Sequence, residues 1–323
     1  MGASVSVLGA SGYSGGEVLR LLAGHAVFSV TTIAAGTAAG TPAETVHPHL
    51  VAHLGDVRFA PLTAAVAVET DLCISCLPGG MLRPHAGDLK ARVVVDVSDD
   101  FRADDHWIYG LTELARDELR DATRIANPGC YPTAAVLAIV PFLRAGWISG
   151  PVIVDALSGV SGAGRRAEPH LGMAEMHGDV SAYGDVSHRH VSEMERALET
   201  YTGNSVTVSF TPHLIPAARG LLVTGRAALT RPASDDDVRD VLASAYSNEP
   251  FVRVTHDWPH TKWVAGSNAA VLHARVDDRA GMLVMSTAID NLGKGAAGQA
   301  IQNANIAFGI DEATGLTATG VWP

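Results

Sequence analysis

The feature that most limits the fold is a short apolar strand, predicted at residues 4–8, that runs through a glycine-rich turn into a helix. The turn carries Gly9, Gly12 and Gly15, a variant of the G-x-G-x-x-G spacing. Glycine permits a tight turn and lets the backbone approach a pyrophosphate, which then meets the N–H groups of the helix N-terminus. This arrangement predicts a dinucleotide-binding unit, although ordinary strand–helix turns also contain glycines.

The second predicted strand, at residues 28–34, indicates which dinucleotide binds. NAD enzymes usually place Asp or Glu at the end of this strand to hold the ribose hydroxyls. Residues 34–40 contain neither acid. The absence favours NADP, whose 2′-phosphate an acid would repel. Thr37 is the candidate donor to that phosphate, and no arginine stands in this stretch.

A second glycine-containing turn precedes a predicted helix at residues 131–143. Pro128 fixes φ, Gly129 allows positive φ, and Pro132 lies in the first helical turn, where its missing N–H costs nothing. Cys130 is thereby predicted at a helix N-terminus, a position that favours the thiolate. We interpret Cys130 as a catalytic nucleophile. The alternative is a small buried core residue, the usual role of a free cysteine.

A nucleophilic cysteine needs a partner that holds the thiolate and later gives a proton to an oxygen, and histidine suits both tasks at neutral pH. His188 and His190 are the candidates; the other interpretation is that they are surface residues at a helix start. Four histidines fall between residues 170 and 190, but their irregular spacing lacks a pattern of acidic ligands, so no metal site is predicted.

Two further segments are candidate anion sites. Residues 158–166 form a Gly/Ser loop followed by two arginines, which can hold an anion through backbone N–H groups and guanidinium. A flexible linker is the alternative. Arg102 follows a predicted strand at 93–97, at the end of the sheet where ligands bind. It is a candidate anion binder or else a solvated surface arginine.

Composition narrows the class of protein. A length of 323 residues, with 47% hydrophobic and 18% charged residues, predicts about two folded domains. The net charge of −11 argues against nucleic acid and anionic membranes as partners. No long apolar run or signal peptide is found, and the cysteine number is odd, so a reducing cytoplasm is expected. Cys73 and Cys76, spaced C-x-x-C in an apolar run predicted as a strand at 66–77, are interpreted as core residues.

The second half of the chain is rich in predicted strands that few helices separate. This order predicts a mixed or antiparallel sheet with helices on one face. The predicted domain boundary lies at 150/151, and the last helix, at 296–308, is expected to pack onto the first domain. The strands are predicted at 152–157, 206–210, 221–227, 251–254, 271–276 and 282–289, and the helices at 192–201 and 235–246.

Stretches along the whole chain resemble the N-acetyl-γ-glutamyl-phosphate reductases, the NADPH enzymes of arginine biosynthesis. The resemblance implies an α/β fold similar to aspartate-semialdehyde dehydrogenase. It also implies a Rossmann-type, doubly wound NADP-binding domain (1–150, with 295–323 packed back on it) before an α+β substrate and oligomerisation domain with a mixed or antiparallel sheet (151–294), in a homotetramer or homodimer. The matching stretches are 9–15, 96–102, 109–114, 127–133, 158–165, 188–190, 210–220, 266–268 and 290–298.

The resemblance also implies roles for residues of this chain. The nucleophile falls on Cys130 and the acid/base on His190, with His188 as the other contender. Ser192 and Gly79 stand where the family more often has Pro and His, and the spacing around Tyr183 is unusual, so the role of Tyr183 is open. The implied cofactor contacts are Gly9, Ser11, Gly12, Tyr13, Ser14, Gly15, Thr37, Ser161, Gly162 and Asn291. The implied substrate contacts are Arg102, Asn127, Ser158, Arg165 and Arg219.

The implied reaction is the NADPH-dependent reductive dephosphorylation of N-acetyl-γ-glutamyl phosphate to the 5-semialdehyde, through a thioester on the cysteine, with release of inorganic phosphate. A sister reductase for N-acyl-aminoadipyl or aspartyl phosphate would use the same residues. A non-catalytic NADP-binding sensor would retain the first turn but would not need Cys130 together with the histidines.

Overall fold

The computed structural model describes residues 2–184 and 187–322. These residues form two compact units. The first runs to Gly129 and includes Ala296–Leu316, and the second comprises Cys130–Gly295 and the segment from Thr317 onward. The chain therefore passes from one unit to the other more than once.

The first unit is built on a sheet that contains six strands among the described residues, in the order β2-β1-β3-β4-β6-β5. Every strand pair in it is parallel. β3 and β4 are buried along their whole length, as expected when helices cover both faces of a parallel sheet. The strands are β1 (Ala3–Leu8), β2 (Phe28–Ile33), β3 (Leu72–Ser75), β4 (Val93–Asp96), β5 (Ile108–Tyr109) and β6 (Arg124–Ala126).

The first helix of this unit follows β1 through the glycine-rich turn. Its apolar residues Val18, Leu19, Leu21 and Leu22 are buried, in the spacing of a helix that packs one face against a core. The helices are α1 (Tyr13–Leu22), α2 (Ala43–Val46), α3 (Val51–Leu54), α4 (Leu62–Ala65) and α5 (Thr112–Leu119), with 3₁₀ turns at Pro48–Leu50 and Arg83–His85.

The second unit contains a mixed sheet in the order β11-β12-β13-β10-β7-β9-β8 within the part of the chain that is described. β7 pairs with β9, and β11 with β12, in parallel; the other neighbours are antiparallel. The mixed sheet predicted from the sequence is confirmed. Its strands are β7 (Ile148–Gly159), β8 (Ser181–Ala182), β9 (Val208–Ile215), β10 (Leu221–Leu229), β11 (Val252–Val254), β12 (Ala270–Asp277) and β13 (Met282–Ile289).

Helices cover one face of this mixed sheet. α6 (Cys130–Arg144) packs on β7, β10 and β13, α8 (His190–Thr202) on β9, and α9 (Asp235–Ala245) on β12. The central helix α6 is apolar on every side and is buried from Tyr131 to Leu143, because sheet and helices surround it. Short turns of helix complete the unit, at Val160–Ala163, Pro169–Leu171, α7 (Met173–Met176) and α10 (Thr261–Val264).

The structure divides the chain elsewhere than the sequence predicted. The expected boundary at 150/151 falls inside β7; the observed one lies just before Cys130, because α6 is covered by the second unit. The chain then returns to the first unit through a π turn at Gly293–Ala297 and helix α11 (Gly298–Ala307), which contacts α5 and β4. From Thr317 onward it belongs to the second unit, not to the first as expected.

Several element boundaries also differ from the predictions. The strand expected at 66–77 is limited to β3. Val66 is instead the C-cap residue of α4, and polar residues stand between Val66 and β3. The strand expected at 206–210 starts at Val208 and continues through Pro212 to Ile215. β5 and β8 have two residues each, too few to show a periodicity in the sequence. No helix in the described residues is long and apolar enough to cross a membrane.

Candidate active site

Cys130 is the first residue of α6 and is half-buried. Its backbone and Cβ lie against the segment that follows β13: a Cβ added to Gly295 would fall 2.7 Å from the Cys130 Cβ. The N–H groups of the first helical turn lack partners inside the helix and, with the helix dipole, stabilise a negative charge at this end. The predicted placement of Cys130 at a helix N-terminus is confirmed, and its interpretation as a buried core residue is not.

The two candidate histidines gather around the ring of Tyr131, the residue next to Cys130. The ring centroids of His188 and His190 lie 5.8 Å and 5.7 Å from that of Tyr131, and 4.7 Å from each other. Phe210 of β9 closes the cluster, with its ring centroid 5.1 Å from that of Tyr131. The second unit thus brings both histidines to the start of α6.

The two histidines differ in their surroundings. His190 is the first residue of α8 and is buried, with Nε2 4.0 Å from Oε2 of the buried Glu193. His188 is half-buried, and its Nδ1 accepts a 3.2 Å hydrogen bond from the backbone N–H of His190. Burial, together with the charge of Arg189, lowers the pKa of His188. His188 is therefore a neutral acceptor at pH 7, with its proton on Nε2.

A pair of tyrosines adjoins this cluster. The hydroxyls of Tyr131 and Tyr183 lie 2.8 Å apart, and the Tyr183 ring centroid is 5.8 Å from that of His188. Burial, followed by the neighbouring phenol and the Cys130 sulfur, raises the pKa of Tyr131 above its ordinary range. Burial also raises the pKa of Tyr183. Both phenols are protonated at neutral pH, and one of the two hydroxyls donates to the other.

The loop after β7 is fixed by Asn291, whose side chain is buried. Asn291 donates from Nδ2 to Ser161 Oγ at 2.9 Å and accepts at Oδ1 from the backbone N–H of Gly220 at 2.8 Å. Ser158 is also buried, and its Oγ donates to the Gly159 carbonyl. Gly162 is exposed beside Ser161. The loop interpreted from composition as either a linker or an anion site is thus an ordered 3₁₀ turn with internal hydrogen bonds.

The predicted arginines occupy three different environments. Arg219 Nε lies 3.4 Å from Oδ2 of the fully buried Asp290. Arg165 is exposed just after the 3₁₀ turn that follows β7. Arg102, in the first unit, donates to the backbone carbonyls of Asn127 and Val97 at 2.9 and 2.8 Å. Arg102 therefore is not a solvated surface residue; it holds the ends of β4 and β6 together.

Asn127, which the resemblance places among the substrate contacts, lies in the turn before Cys130. Its side chain is fully buried. The amide donates to the Ala296 carbonyl at 3.3 Å and accepts from Asn303 at 3.1 Å. Because these bonds lie inside the first unit, the Asn127 side chain supports the turn before Cys130.

The glycine-rich turn of the first unit shows a separate reason for each glycine. Gly9 has φ 68° and lies against the Cys76 carbonyl. A Cβ on Gly15 would fall 2.6 Å from Ala10 Cα, whereas one on Gly12 would meet nothing nearer than 3.5 Å. Gly9 and Gly15 therefore serve close packing, and Gly12 leaves open space at the N-terminus of α1. These residues fit a bound pyrophosphate.

The remaining predicted cofactor residues lie on the same unit's turns. Ser11 and Ser14 are half-buried and Tyr13 is exposed, all on the turn or the first turn of α1. Thr37 is exposed in the turn after β2. His47, which the sequence analysis missed, supports the glycine-rich turn after β1, because its Nε2 lies 2.8 Å from the Ala10 carbonyl oxygen. A histidine in a later loop carries no sequence signal for that contact.

Cys73 and Cys76 are free thiols and do not form a disulfide. Cys73 is buried within β3, and Cys76 follows that strand. Burial raises the pKa of the Cys73 thiol to about 12 and raises that of Cys76 as well. Among the described residues, no group of three or more His, Cys, Asp or Glu side chains is placed to hold a metal ion.

The sequence analysis also missed the residues that surround the nucleophile. Tyr131 between the histidines and Gly295 against Cys130 depend on contacts between distant elements, whereas Glu193 lies three residues after His190 on the same helix. Two of them had a local signal: Glu193 follows His190 at i,i+3 spacing, and Gly295 lies in the glycine-rich stretch after β13. Sequence spacing alone does not show that position 295 must be glycine to leave room for the Cys130 Cβ.

Two family models match the chain. A semialdehyde dehydrogenase NAD-binding domain matches residues 4–122, and a semialdehyde dehydrogenase dimerisation domain matches residues 130–291. Among solved structures, aspartate semialdehyde dehydrogenase II complexed with ASA from Vibrio cholerae aligns with a TM-score of 0.75 at 18% identity, over 95% of this chain and 98% of that one. At this identity the likeness shows the fold alone, and it confirms the predicted fold class.

Curated relatives are similar over their full length. Proteins named N-acetyl-γ-glutamyl-phosphate reductase from Acidothermus cellulolyticus and Salinispora arenicola are 46% and 45% identical to this chain, and each alignment covers 100% of both sequences. A third relative with this name, from Moorella thermoacetica, is 38% identical over 98% of this chain and 99% of its own. The chain belongs to the N-acetyl-γ-glutamyl-phosphate reductase family.

Proposed function

We propose that this protein catalyses the NADPH-dependent reductive dephosphorylation of N-acetyl-γ-glutamyl phosphate to N-acetylglutamate 5-semialdehyde, as a step of arginine biosynthesis. The observation that carries the proposal is the position of Cys130 at the start of α6, beside a cluster that contains two histidines. The full-length relatives that carry the reductase name support the same reaction.

The chemistry proposed for Cys130 is nucleophilic. Its thiolate attacks the acyl carbon, the carbon–oxygen bond to phosphate breaks, and inorganic phosphate leaves with the bonding electrons. A thioester on the sulfur remains. The helix N-terminus lowers the cost of forming the thiolate. Covalent catalysis of this kind divides one difficult displacement into two easier steps.

The bound nicotinamide supplies the hydride that reduces the thioester carbon. His190 then gives a proton to the developing alkoxide and takes one back when the carbon–sulfur bond breaks and the aldehyde leaves. Glu193, 4.0 Å from His190 Nε2, stabilises the protonated ring. We assign this role to His190 because His188 Nδ1 already accepts a backbone N–H bond at the start of α8.

Substrate and cofactor contacts follow from the loops described above. Arg165, exposed beyond the Ser158–Ser161 region, is suited to an anionic group of the substrate, and Arg219 orders Asp290 beside the same region. Gly12 and the start of α1 are suited to the pyrophosphate, and the acid-free turn around Thr37 to NADP(H). Ser161 and Gly162 are also proposed to contact the cofactor, and Asn291 positions Ser161 through its 2.9 Å hydrogen bond.

Self-association is part of the proposal, as a homodimer or homotetramer. The matched domain over residues 130–291 is described as a dimerisation domain. The face of the mixed sheet away from α6 carries partly exposed side chains in register, with Ile153 opposite Arg226 and Leu157 opposite Leu222. A cytoplasmic location is also proposed, since the three cysteines are free.

The test is the reverse reaction, the phosphate-dependent oxidation of N-acetylglutamate 5-semialdehyde, followed by NADPH absorbance. The one-carbon-longer semialdehyde and aspartate semialdehyde are assayed beside it, and NAD⁺ beside NADP⁺. We expect the N-acetylglutamate derivative with NADP⁺ to give the highest kcat/KM. A higher value for another semialdehyde would assign the protein to a sister reaction.

The variant Cys130→Ser isolates the covalent step. It should lower turnover by several orders of magnitude, because a serine hydroxyl is not ionised at neutral pH. Its NADPH affinity and melting temperature should match those of the wild type, since the substitution is nearly isosteric. Near-normal turnover in this variant would exclude Cys130 as the nucleophile.

A further inference from the structure

Arg58 lies beside the turn that follows β2, although it is distant from that turn in the sequence. Its Nη1 donates a 2.9 Å hydrogen bond to the Gly40 carbonyl. The backbone is held there as well: Arg58 bridges Pro42, the Gly40 N–H donates to the Phe59 carbonyl, and the Phe59 N–H donates to the Thr41 carbonyl. The guanidinium is thus tied to residues 40–42.

The same segment also pairs with the end of β2. Ala60 bridges Ala34 in parallel, and the Ala35 N–H donates to the Ala60 carbonyl at 3.2 Å. In a doubly wound sheet, the end of the second strand is where the adenosine ribose of a dinucleotide is held. These backbone contacts therefore place Arg58 at the ribose end of the proposed cofactor site.

The charge pattern of this region singles out Arg58. It is the only Lys or Arg between Arg20 and Arg83, and no Asp or Glu occurs from residue 18 to residue 43. Its side chain is exposed, and Gly40 is its one hydrogen-bond partner within the described residues. A guanidinium has five N–H donors, so most of them remain available. Nothing lies within 4 Å of a Cβ placed on Gly36 or Gly40, so the turn beside it is open.

We propose that Arg58, together with the Thr37 hydroxyl, binds the 2′-phosphate of NADP(H) and sets the preference of this protein for NADP(H) over NAD(H). The inference rests on the proposed cofactor and deepens it. A planar guanidinium matches phosphate geometry and forms short, charge-assisted hydrogen bonds. NAD(H) lacks the phosphate and gains nothing from this arginine.

The test measures binding of NADP⁺ and NAD⁺ separately, by isothermal titration calorimetry on the full chain without substrate. Arg58→Ala should weaken NADP⁺ binding by about 10- to 100-fold, the range for loss of hydrogen bonds to a charged group. NAD⁺ binding should change less than about twofold, as should the binding of both nucleotides to Arg120→Ala, an exposed arginine at the end of α5. Arg58→Lys, which keeps the charge, should lie between wild type and Arg58→Ala.

The alternative is that Arg58 only orders the turn through Gly40. In that case Arg58→Ala would weaken both dinucleotides equally, and this result would overturn the proposal, as would unchanged NADP⁺ binding. Since no acyl phosphate is present, failure of the proposed reaction would leave the binding result intact. A wild-type chain that binds neither dinucleotide would contradict the proposed cofactor itself.

Discussion

The three cysteines of this chain differ because of where each sulfur lies. Cys130 begins a helix and is half-buried, whereas Cys73 is enclosed in a fully buried strand and Cys76 follows it. Burial without a compensating cation disfavours a thiolate. One position in the chain therefore combines access with electrostatic support.

This difference predicts selective alkylation. At pH 7, Cys73 and Cys76 are almost entirely protonated because burial raises the pKa of both thiols, that of Cys73 to about 12. Iodoacetamide should therefore modify Cys130 first, with loss of activity in proportion. Peptide mass spectrometry at partial inactivation provides the measurement. Modification of Cys76 at a comparable rate would contradict the assigned difference in thiol reactivity.

The two histidines predict unequal losses. His190→Asn should lower kcat by about 10²–10⁴-fold, the usual contribution of a general acid or base. His188→Asn should cost less than about tenfold, because the asparagine oxygen can still accept the bond from the His190 N–H. The pH dependence of Cys130 alkylation supplies a second readout, since loss of the imidazole that supports the thiolate should move the curve to higher pH. The reverse order of losses would exchange the two roles.

At the scale of elements, different glycines of the turn between β1 and α1 serve helix packing and the proposed cofactor binding. A Cβ on Gly15 would fall 2.6 Å from backbone atoms of the turn, so α1 would have to move, whereas one on Gly12 would make only an ordinary contact, 3.5 Å from the Gly9 carbonyl oxygen. The two glycines look alike in sequence but differ in what surrounds them.

Two alanine variants test this separation. Gly15→Ala should lower the free energy of unfolding by about 1–3 kcal/mol, the cost of overpacking. Gly12→Ala should leave the melting temperature nearly unchanged but weaken NADP⁺ binding about tenfold or more, because the new methyl group occupies the approach to the helix N-terminus. Calorimetric melting and titration on both variants give the comparison. Equal destabilisation by both would show that Gly12 is also packed.

The sequence was most informative where local chemistry decides the structure. Glycine spacing located the first turn, two prolines and a glycine located the start of α6, and the mixed sheet was predicted from a run of strands that few helices separate. It was least informative where distant segments meet. The contact of Arg58 with Gly40 and the burial of Asn127 depend on tertiary packing. No local pattern encodes these contacts.

At the scale of the whole molecule, the boundary between the units is set by which sheet covers the apolar helix α6. It does not lie at the Gly-Pro dipeptide at residues 150–151. That dipeptide lies in β7, and the apolar helix α6 belongs with the sheet that covers it. The face of the same sheet opposite α6 is only partly covered and includes Ile153, which is 43% exposed.

This open face predicts an effect on assembly. Ile153→Asp should shift the protein to a smaller species in light scattering after size-exclusion chromatography, because a carboxylate would be buried without a partner. Val68→Asp, at a 38% exposed position of the first unit, is the matched control and should leave the mass unchanged. An unchanged mass for Ile153→Asp would remove this face from the proposed interface.

The contact between Cys130 and Gly295 has a consequence for biosynthesis. Cys130 is the first residue and Gly295 the last residue of the long segment of the second unit. Since a domain folds as a unit while the ribosome adds residues from the N-terminus, the sulfur leaves the ribosome long before its neighbouring glycine is made. A stalled or prematurely terminated chain that lacks the segment after β13 would therefore carry an unshielded thiol, exposed to cellular oxidants before the protein is active.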